Sequence, residues 1–296
     1  VRIEAQPEII YLSEVSLKSL KDFSDSPKLN RLKEIILDYS SVVIGFSGGV
    51  DSTFLVKASL DFLGRDNVLA VTAAGAIHPK SEIEDARELA DRLDLEWKLI
   101  SPPYMEEGDF VANPPDRCYH CKKILFARLR NMAEDLGYEV VADGTIEDDS
   151  SDYRPGERAG EELGIKHPLR EAGLTKKDIR KFGKKAGLPV WNKPSNACLA
   201  TRIPYGLEVT ESRLNKINRA ESSLRDLGFT GFRVRHHGEV ARIELRQEDI
   251  SRAIEIREEL ADRIETVGYS YVTLDLRGYR TGSLNELVGN EESEGS

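Results

Sequence analysis

One junction constrains the fold more than any other stretch of the chain. Val42-Val43-Ile44-Gly45-Phe46, an apolar run, is followed at once by Ser47-Gly48-Gly49-Val50-Asp51-Ser52 and then by a helical stretch reaching Leu63. A short apolar run set between Ser40-Ser41 and a Ser/Gly turn reads as a strand buried on both faces, as in a parallel sheet. The chain must therefore turn from extended to helical within a few residues. That turn aims backbone N–H groups and a helix N-terminus at one point, a ready anion site. Gly48 and Gly49 let the backbone approach phosphate oxygens, and the Ser47 and Ser52 hydroxyls add donors. A plain Ser/Gly turn, with Asp51 favouring the helix N-terminus, accounts for parts of this hexapeptide but not for the whole of it in this context.

Further strand-like runs at 68–72, 96–100 and 139–142 alternate with helical runs at 50–63, 79–93 and 122–136. This order predicts an α/β fold, a parallel sheet flanked by helices. Ligands of such sheets bind beyond the carboxyl ends of strands, where the hexapeptide, Thr72 and Gly144 all fall. Before the sheet, residues 1–40 read as a helical lead-in, with Leu29, Leu32, Ile35, Ile36 and Tyr39 at helical spacing. The middle, 150–210, shows one clear helix near 176–186. After it come a helix at 211–227, strands at 232–236 and 239–245 joined by a turn at Gly238, a helix at 249–264 and a strand at 270–276. This αββαβ order predicts a smaller α+β unit. The expected division is thus 1–40, 41–205 and 206–285, followed by a disordered acidic tail at 286–296.

Within the 296 residues, 42 basic and 52 acidic side chains give a net charge of −10. That balance argues against a polyanionic partner such as RNA. No segment has the roughly 18 consecutive apolar residues that suggest a membrane span, and the first residues lack the layout of an export signal. A cytoplasmic location is the expectation. Three cysteines suit thiol or metal chemistry in a reducing compartment better than a disulfide framework.

Cys118-Tyr-His-Cys121 precedes a helix, and Cys198 lies far downstream. Two thiols one helical turn apart can face one metal, with helix N–H groups and Lys122 and Lys123 offsetting their charge. Three readings stay open on the residues alone. They are a four-iron cluster with one open iron, a zinc site that recruits His120, and free or redox-active thiols. On the C-terminal strands, alternation puts Arg233, Arg235 and His237 on one face, and Arg242 and Glu244 on one face of the next strand. Such a face is either a solvated exterior or an anion site. Trp97 and Trp191 read as packing residues and His78 as a loop residue.

Phe46-Ser-Gly-Gly-Val-Asp-Ser-Thr53 resembles the PP-loop of the ATP pyrophosphatases, whose domain is adenine nucleotide α-hydrolase-like. The resemblance implies that Ser47, Gly48, Gly49, Val50, Asp51 and Ser52 bind ATP with Mg2+, and that AMP and pyrophosphate leave. Arg117-Cys-Tyr-His-Cys-Lys122, Asp152-Tyr-Arg-Pro-Gly156, Trp191-Asn-Lys-Pro-Ser195 and Ala197-Cys-Leu-Ala-Thr-Arg202 together resemble the LarE family, over about residues 30–285. Its members are ATP-dependent sulfur transferases of nickel-pincer nucleotide biosynthesis, which act on a pyridinium mononucleotide and serve lactate racemase. In one branch a single cysteine gives up its sulfur; in the other, three cysteines hold a 4Fe-4S iron-sulfur cluster. This chain is similar to the second, with Cys118, Cys121 and Cys198 as ligands and Thr201 where serine is usual. The resemblance further implies that Arg233 and Arg235 hold the substrate phosphate and that Glu221, Glu244 and Asp249 form a divalent-ion set. Beside Cys198, Arg202 is the arginine expected to act in the chemistry, whereas Arg154 could equally pair with carboxylates. The expected partners are a small mononucleotide, inorganic sulfide or another sulfur donor, and further copies of the chain as a homo-oligomer, a hexamer in the family. A PP-loop tRNA thiolase with a three-cysteine cluster is the rival enzyme, and a nucleotide sensor with structural zinc the rival outside catalysis.

Overall fold

A computed structural model describes residues 17–23, 25–148, 155–194 and 197–280. Arg154, most of the motif that begins at Asp152, Ser195, the tail at 286–296 and the first part of the lead-in lie outside the described residues. The chain enters through α1 (Pro27–Leu37), started by a Ser26 cap that accepts from the Leu29 N–H and by proline at the first helical position. Leu29, Leu32, Ile35 and Ile36 are buried along one side of it.

The chain then runs β1 (Val42–Gly45), α2 (Val50–Leu63), β2 (Val68–Ala73), α3 (Lys80–Arg92), β3 (Trp97–Ile100), α4 (Gly108–Val111), α5 (Arg117–Leu136) and β4 (Val140–Ala142). All four strands are parallel, in the order β3-β2-β1-β4. Strand alternation divides the core in two. Val42 and Ile44 of β1 face one cluster with Phe54 and Leu55, whereas Val43 faces another with Phe126 and Leu129. Helices cover both faces, as the unbroken apolar runs require. Because β2 and β4 flank β1 on opposite sides, the order reverses between β1 and β4. The crevice beyond their carboxyl ends is the switch point of the sheet.

Beyond β4 come α6 (Pro155–Glu162), α7 (Pro168–Glu171) and α8 (Lys176–Ala186). Of these, only α8 is legible in the sequence, where the Thr175–Asp178 capping box marks its start. Between α6 and α7, Lys166 bridges Ala142 in parallel, so this segment extends the sheet edge and carries His167 to the end of β4.

The C-terminal unit consists of α9 (Glu211–Asp226), β5 (Arg233–His237), β6 (Val240–Glu244), α10 (Ile250–Glu255), α11 (Arg257–Thr266) and β7 (Tyr271–Leu274). Its sheet order is β5-β6-β7, antiparallel across the Gly238 turn and then parallel. Gly238 takes φ 63°, a region that favours glycine. The single helix expected at 249–264 is broken at Ile256, although no proline or glycine stands there. Helix α9 belongs to two cores. Leu214 and Ile217 pack with Ile77, Tyr104 and Phe110 of the first unit, while Ala220 and Leu224 enter the core of the second.

Candidate functional site

The hexapeptide forms the turn between β1 and α2 as the sequence requires. The Ser47 N–H donates to Ser52 Oγ at 3.2 Å, the two serine hydroxyls lie 3.1 Å apart, and Thr53 Oγ1 donates to the Gly49 carbonyl at 2.7 Å. Gly48 has φ 68°. Across the switch point, Gly144 lies so near that a Cβ there would stand 2.8 Å from the Ser52 nitrogen. A cavity of about 460 Å³ opens between these loops, floored by the strand ends and walled by Lys122, Phe126 and His78. This is within the size range of small-molecule and cofactor sites. Thr72 also lines it, but the Thr72 hydroxyl is engaged in the wall, donating to the Phe46 carbonyl at 2.6 Å and accepting from Trp97 Nε1 at 2.8 Å. His78 is a cavity-wall residue rather than a plain loop residue, and burial pushes its pKa down to about 4.

Two ion pairs order the cavity rim. Asp51 pairs with Lys176 at the start of α8. Asp143, at the end of β4, accepts from Lys122 Nζ at 3.1 Å and from the Thr145 N–H at 3.0 Å, and lies 2.6 Å from His167 Nδ1. Burial alone would raise the Asp143 pKa, but Lys122 and His167 outweigh it and hold the carboxylate well below its ordinary range. His167 was not anticipated, since nothing periodic links it to Asp143 in sequence.

Helix α5 begins at Arg117, earlier than the sequence suggests, so Cys118 and Cys121 both lie at its start. Cys198 precedes the 3-10 turn Leu199–Arg202. All three are free thiols. Burial, then the other two thiols, raises the Cys121 pKa; burial, then Cys198, raises that of Cys118 despite Arg117 and Lys122. Cys121 and Cys198 border one core, and Cys118 lies one helical turn before Cys121. Arg117, 2 % exposed, donates to Asn113 Oδ1 and lies 5.2 Å from the Tyr205 ring centroid. Asn113, at φ 57°, donates from its amide to the Pro204 and Leu207 carbonyls at 2.7 and 2.8 Å. Asn113 is a second unanticipated residue. Its signal was present, because an asparagine between a short helix and Pro114-Pro115 suits a left-handed exit. His120 faces Asp116 and Asp109, at 3.6 and 3.8 Å. Tyr104 is buried in the core that Cys121 and Cys198 border, and among the described residues its hydroxyl has no hydrogen-bond partner of ordinary geometry.

On the arginine face of the hairpin, Arg233, Arg235 and Glu244 are buried, whereas His237 is exposed and Arg242 partly so. Arg202 makes a bidentate pair with Glu221 at 2.8 and 3.1 Å, and its third nitrogen donates to the Ala197 and Cys198 carbonyls. Arg235 pairs with Glu244 at 3.1 and 2.9 Å and donates to the Thr201 carbonyl at 2.7 Å. Arg233 lies 4.8 Å from the Tyr279 ring centroid, and burial, then the charge of Arg202, lowers its pKa. Arg202, Arg233 and Arg235 thus stand together with Glu221 and Glu244 beneath the Cys198 loop. Asp249 is bonded to Arg246 at 2.9 Å. Among the described residues, no three His, Cys, Asp or Glu side chains are gathered into a site for a single metal ion, and this holds for Glu221, Glu244 and Asp249 and for the three cysteines alike.

The sequence pattern of the NAD synthase family matches residues 30–111. Over 251 residues, 85 % of this chain and 91 % of the relative, the chain is 38 % identical to the pyridinium-3,5-bisthiocarboxylic acid mononucleotide synthase of Lactiplantibacillus plantarum. It is 40 % identical to an uncharacterized Synechocystis protein over 88 % of this chain and 98 % of that one. By contrast, an NH3-dependent NAD+ synthetase of Methanococcoides burtonii is 38 % identical over only 79 residues, 23 % of this chain and 30 % of the relative.

Proposed function

The chain belongs to the pyridinium-3,5-bisthiocarboxylic acid mononucleotide synthase family, and on that premise we propose that it adenylates a carboxylate of a pyridinium dicarboxylate mononucleotide and replaces the activated oxygen with sulfur. It is an ATP-dependent enzyme of the PP-loop class. The observation that carries the reading is the double use of α5: Lys122 stands in the cavity wall, and Cys118 and Cys121 start the same helix.

The N–H groups and hydroxyls of residues 47–52 receive the β- and γ-phosphates of ATP, with Gly144 leaving room for the approach. Asp51 would hold Mg2+, whose charge then balances the polyphosphate. Lys122, kept beside Asp143, adds a cation at the same rim. Arg233 and Arg235 receive the phosphate of the mononucleotide, for which the guanidinium fork is suited. A carboxylate oxygen of the substrate then attacks the α-phosphorus, and the bond to pyrophosphate breaks. A sulfur nucleophile next attacks the acyl carbon; the bond to AMP breaks and a thiocarboxylate remains.

A 4Fe-4S cluster is the group this reading calls for: two thiols start α5 one turn apart, and the third, Cys198, borders the same core as Cys121. Held by Cys118, Cys121 and Cys198, such a cluster with one open iron would supply the sulfide. Arg202, bonded to the carbonyls around Cys198, positions that loop. Inorganic sulfide or another sulfur donor would renew the supply. The test is anaerobic purification with iron and acid-labile sulfide counting, alongside AMP and pyrophosphate release that depends on the mononucleotide. Full activity in a Cys118→Ala, Cys121→Ala double variant refutes the cluster. Loss of the mass of one hydrogen sulfide at Cys198 during turnover would show self-sacrifice instead.

A further inference from the structure

We propose that Tyr104 is a further residue of the sulfur centre, donating its phenolic hydrogen to a sulfur of the group held by Cys118, Cys121 and Cys198. The inference rests on the iron-sulfur reading above. Tyr104 follows Pro102-Pro103 and opens a short 3-10 turn, Tyr104–Glu106, its N–H donating to the Pro102 carbonyl at 2.9 Å. Its position is fixed on several sides. The ring centroid lies 5.8 Å from those of both His78 and Phe110. A Cβ at Gly75 would meet the ring at 3.4 Å. The residue is 2 % exposed and shares its core with Cys121 and Cys198.

Phenylalanine would fill this space equally well, yet the chain places a hydroxyl here. That hydroxyl is buried, and among the described residues it finds no hydrogen-bond partner of ordinary geometry. Buried phenols usually have one. The polar groups that act on it are the Cys121 and Cys198 thiols, which border the same core. A neutral thiol is a weak acceptor, whereas a metal-bound thiolate or inorganic sulfide carries negative charge and accepts strongly. A strong acceptor for this hydroxyl would therefore arrive with the metal. Hydrogen bonds to the sulfurs of iron-sulfur clusters stabilise the more negative, reduced state and so raise the reduction potential.

The experiment compares the wild-type chain with Tyr104→Phe, both reconstituted anaerobically with iron and sulfide. Iron and sulfide are counted first, and the midpoint potential is then read by titration with optical and electron paramagnetic resonance detection. The expected result is equal iron content and a more negative midpoint in the variant. A tenfold change in the one-electron equilibrium corresponds to about 59 mV. Incorporating 3-fluorotyrosine at position 104, whose more acidic phenol donates more strongly, should move the midpoint the other way. That arm also serves if Tyr104→Phe loads less iron. Equal midpoints with full iron overturn the role of Tyr104 and leave the cluster standing. No iron in the reconstituted wild type overturns both.

Discussion

Removing the Glu221 carboxylate should cost more stability than any surface change in this chain, and the structure says how much. Glu221 and Arg202 are 3 % and 2 % exposed, and Glu221 takes two hydrogen bonds from the guanidinium and one from the Val234 N–H at 3.1 Å. Glu221→Ala strands a buried cation, at about 3–5 kcal/mol, and an unpaired amide adds about 1–3 kcal/mol. Against a total stability of about 5–15 kcal/mol, the variant should be barely folded. Arg202→Met strands the opposite charge and should also be severe. Together the two substitutions remove both charges, leaving mainly the Val234 amide and the lost bonds to the Cys198 loop. The double variant should therefore be more stable than Glu221→Ala alone. Urea unfolding of all four proteins, read by tryptophan fluorescence, closes the cycle. Single costs that add to the double cost within about 0.5 kcal/mol would show that the pair is not coupled and refute the reasoning.

Gly144→Ala places a Cβ against the α2 backbone, 2.8 Å from the Ser52 nitrogen and 3.1 Å from its Cα. Overpacking of about 1–3 kcal/mol should weaken ATP binding by about tenfold in calorimetry; unchanged affinity would refute the close approach. Asn113→Ala removes the bonds to Pro204, Leu207 and Arg117 while keeping a positive φ, so the melting temperature should fall. Asn113→Gly should recover the strain component alone, read by scanning calorimetry. Burial, then Lys216 and Arg213, lowers the His236 pKa to about 4. The unfolded chain, with a histidine pKa of about 6.5, therefore binds more protons between these values. Stability contributed by neutral His236 is complete above that window and declines as pH falls from 6.5 to 4. Urea midpoints across pH 4–8 should show this decline together with that of His78, and His236→Gln should reduce it without removing it.

The parallel sheet was legible because β1 and β2 are buried on both faces and so read as short apolar runs. The αββαβ unit was legible from strand alternation and the Gly238 turn. Helices α6 and α7 were not, because at eight and four residues they are too short to show a period. Alternation placed Arg233 and Arg235 on one face but left two readings of it, solvated or anion-binding. What decides between burial and exposure is the 197–203 segment above that face, and its docking depends on Arg202 and Arg235 reaching across the fold. His167 and Asn113 act through partners distant in sequence, so composition and spacing carried little trace of the first and only a turn signal for the second.

Helix α9 has a consequence for modularity. With Leu214 and Ile217 seated in one core and Ala220 and Leu224 in the other, a recombination breakpoint near residue 205 would divide a shared packing surface. A chimaera that joins this nucleotide-binding half to the C-terminal half of a relative must carry Ile77, Tyr104 and Phe110 along with the incoming helix, or repack them. Lineages that exchange C-terminal units by gene fusion should therefore break elsewhere.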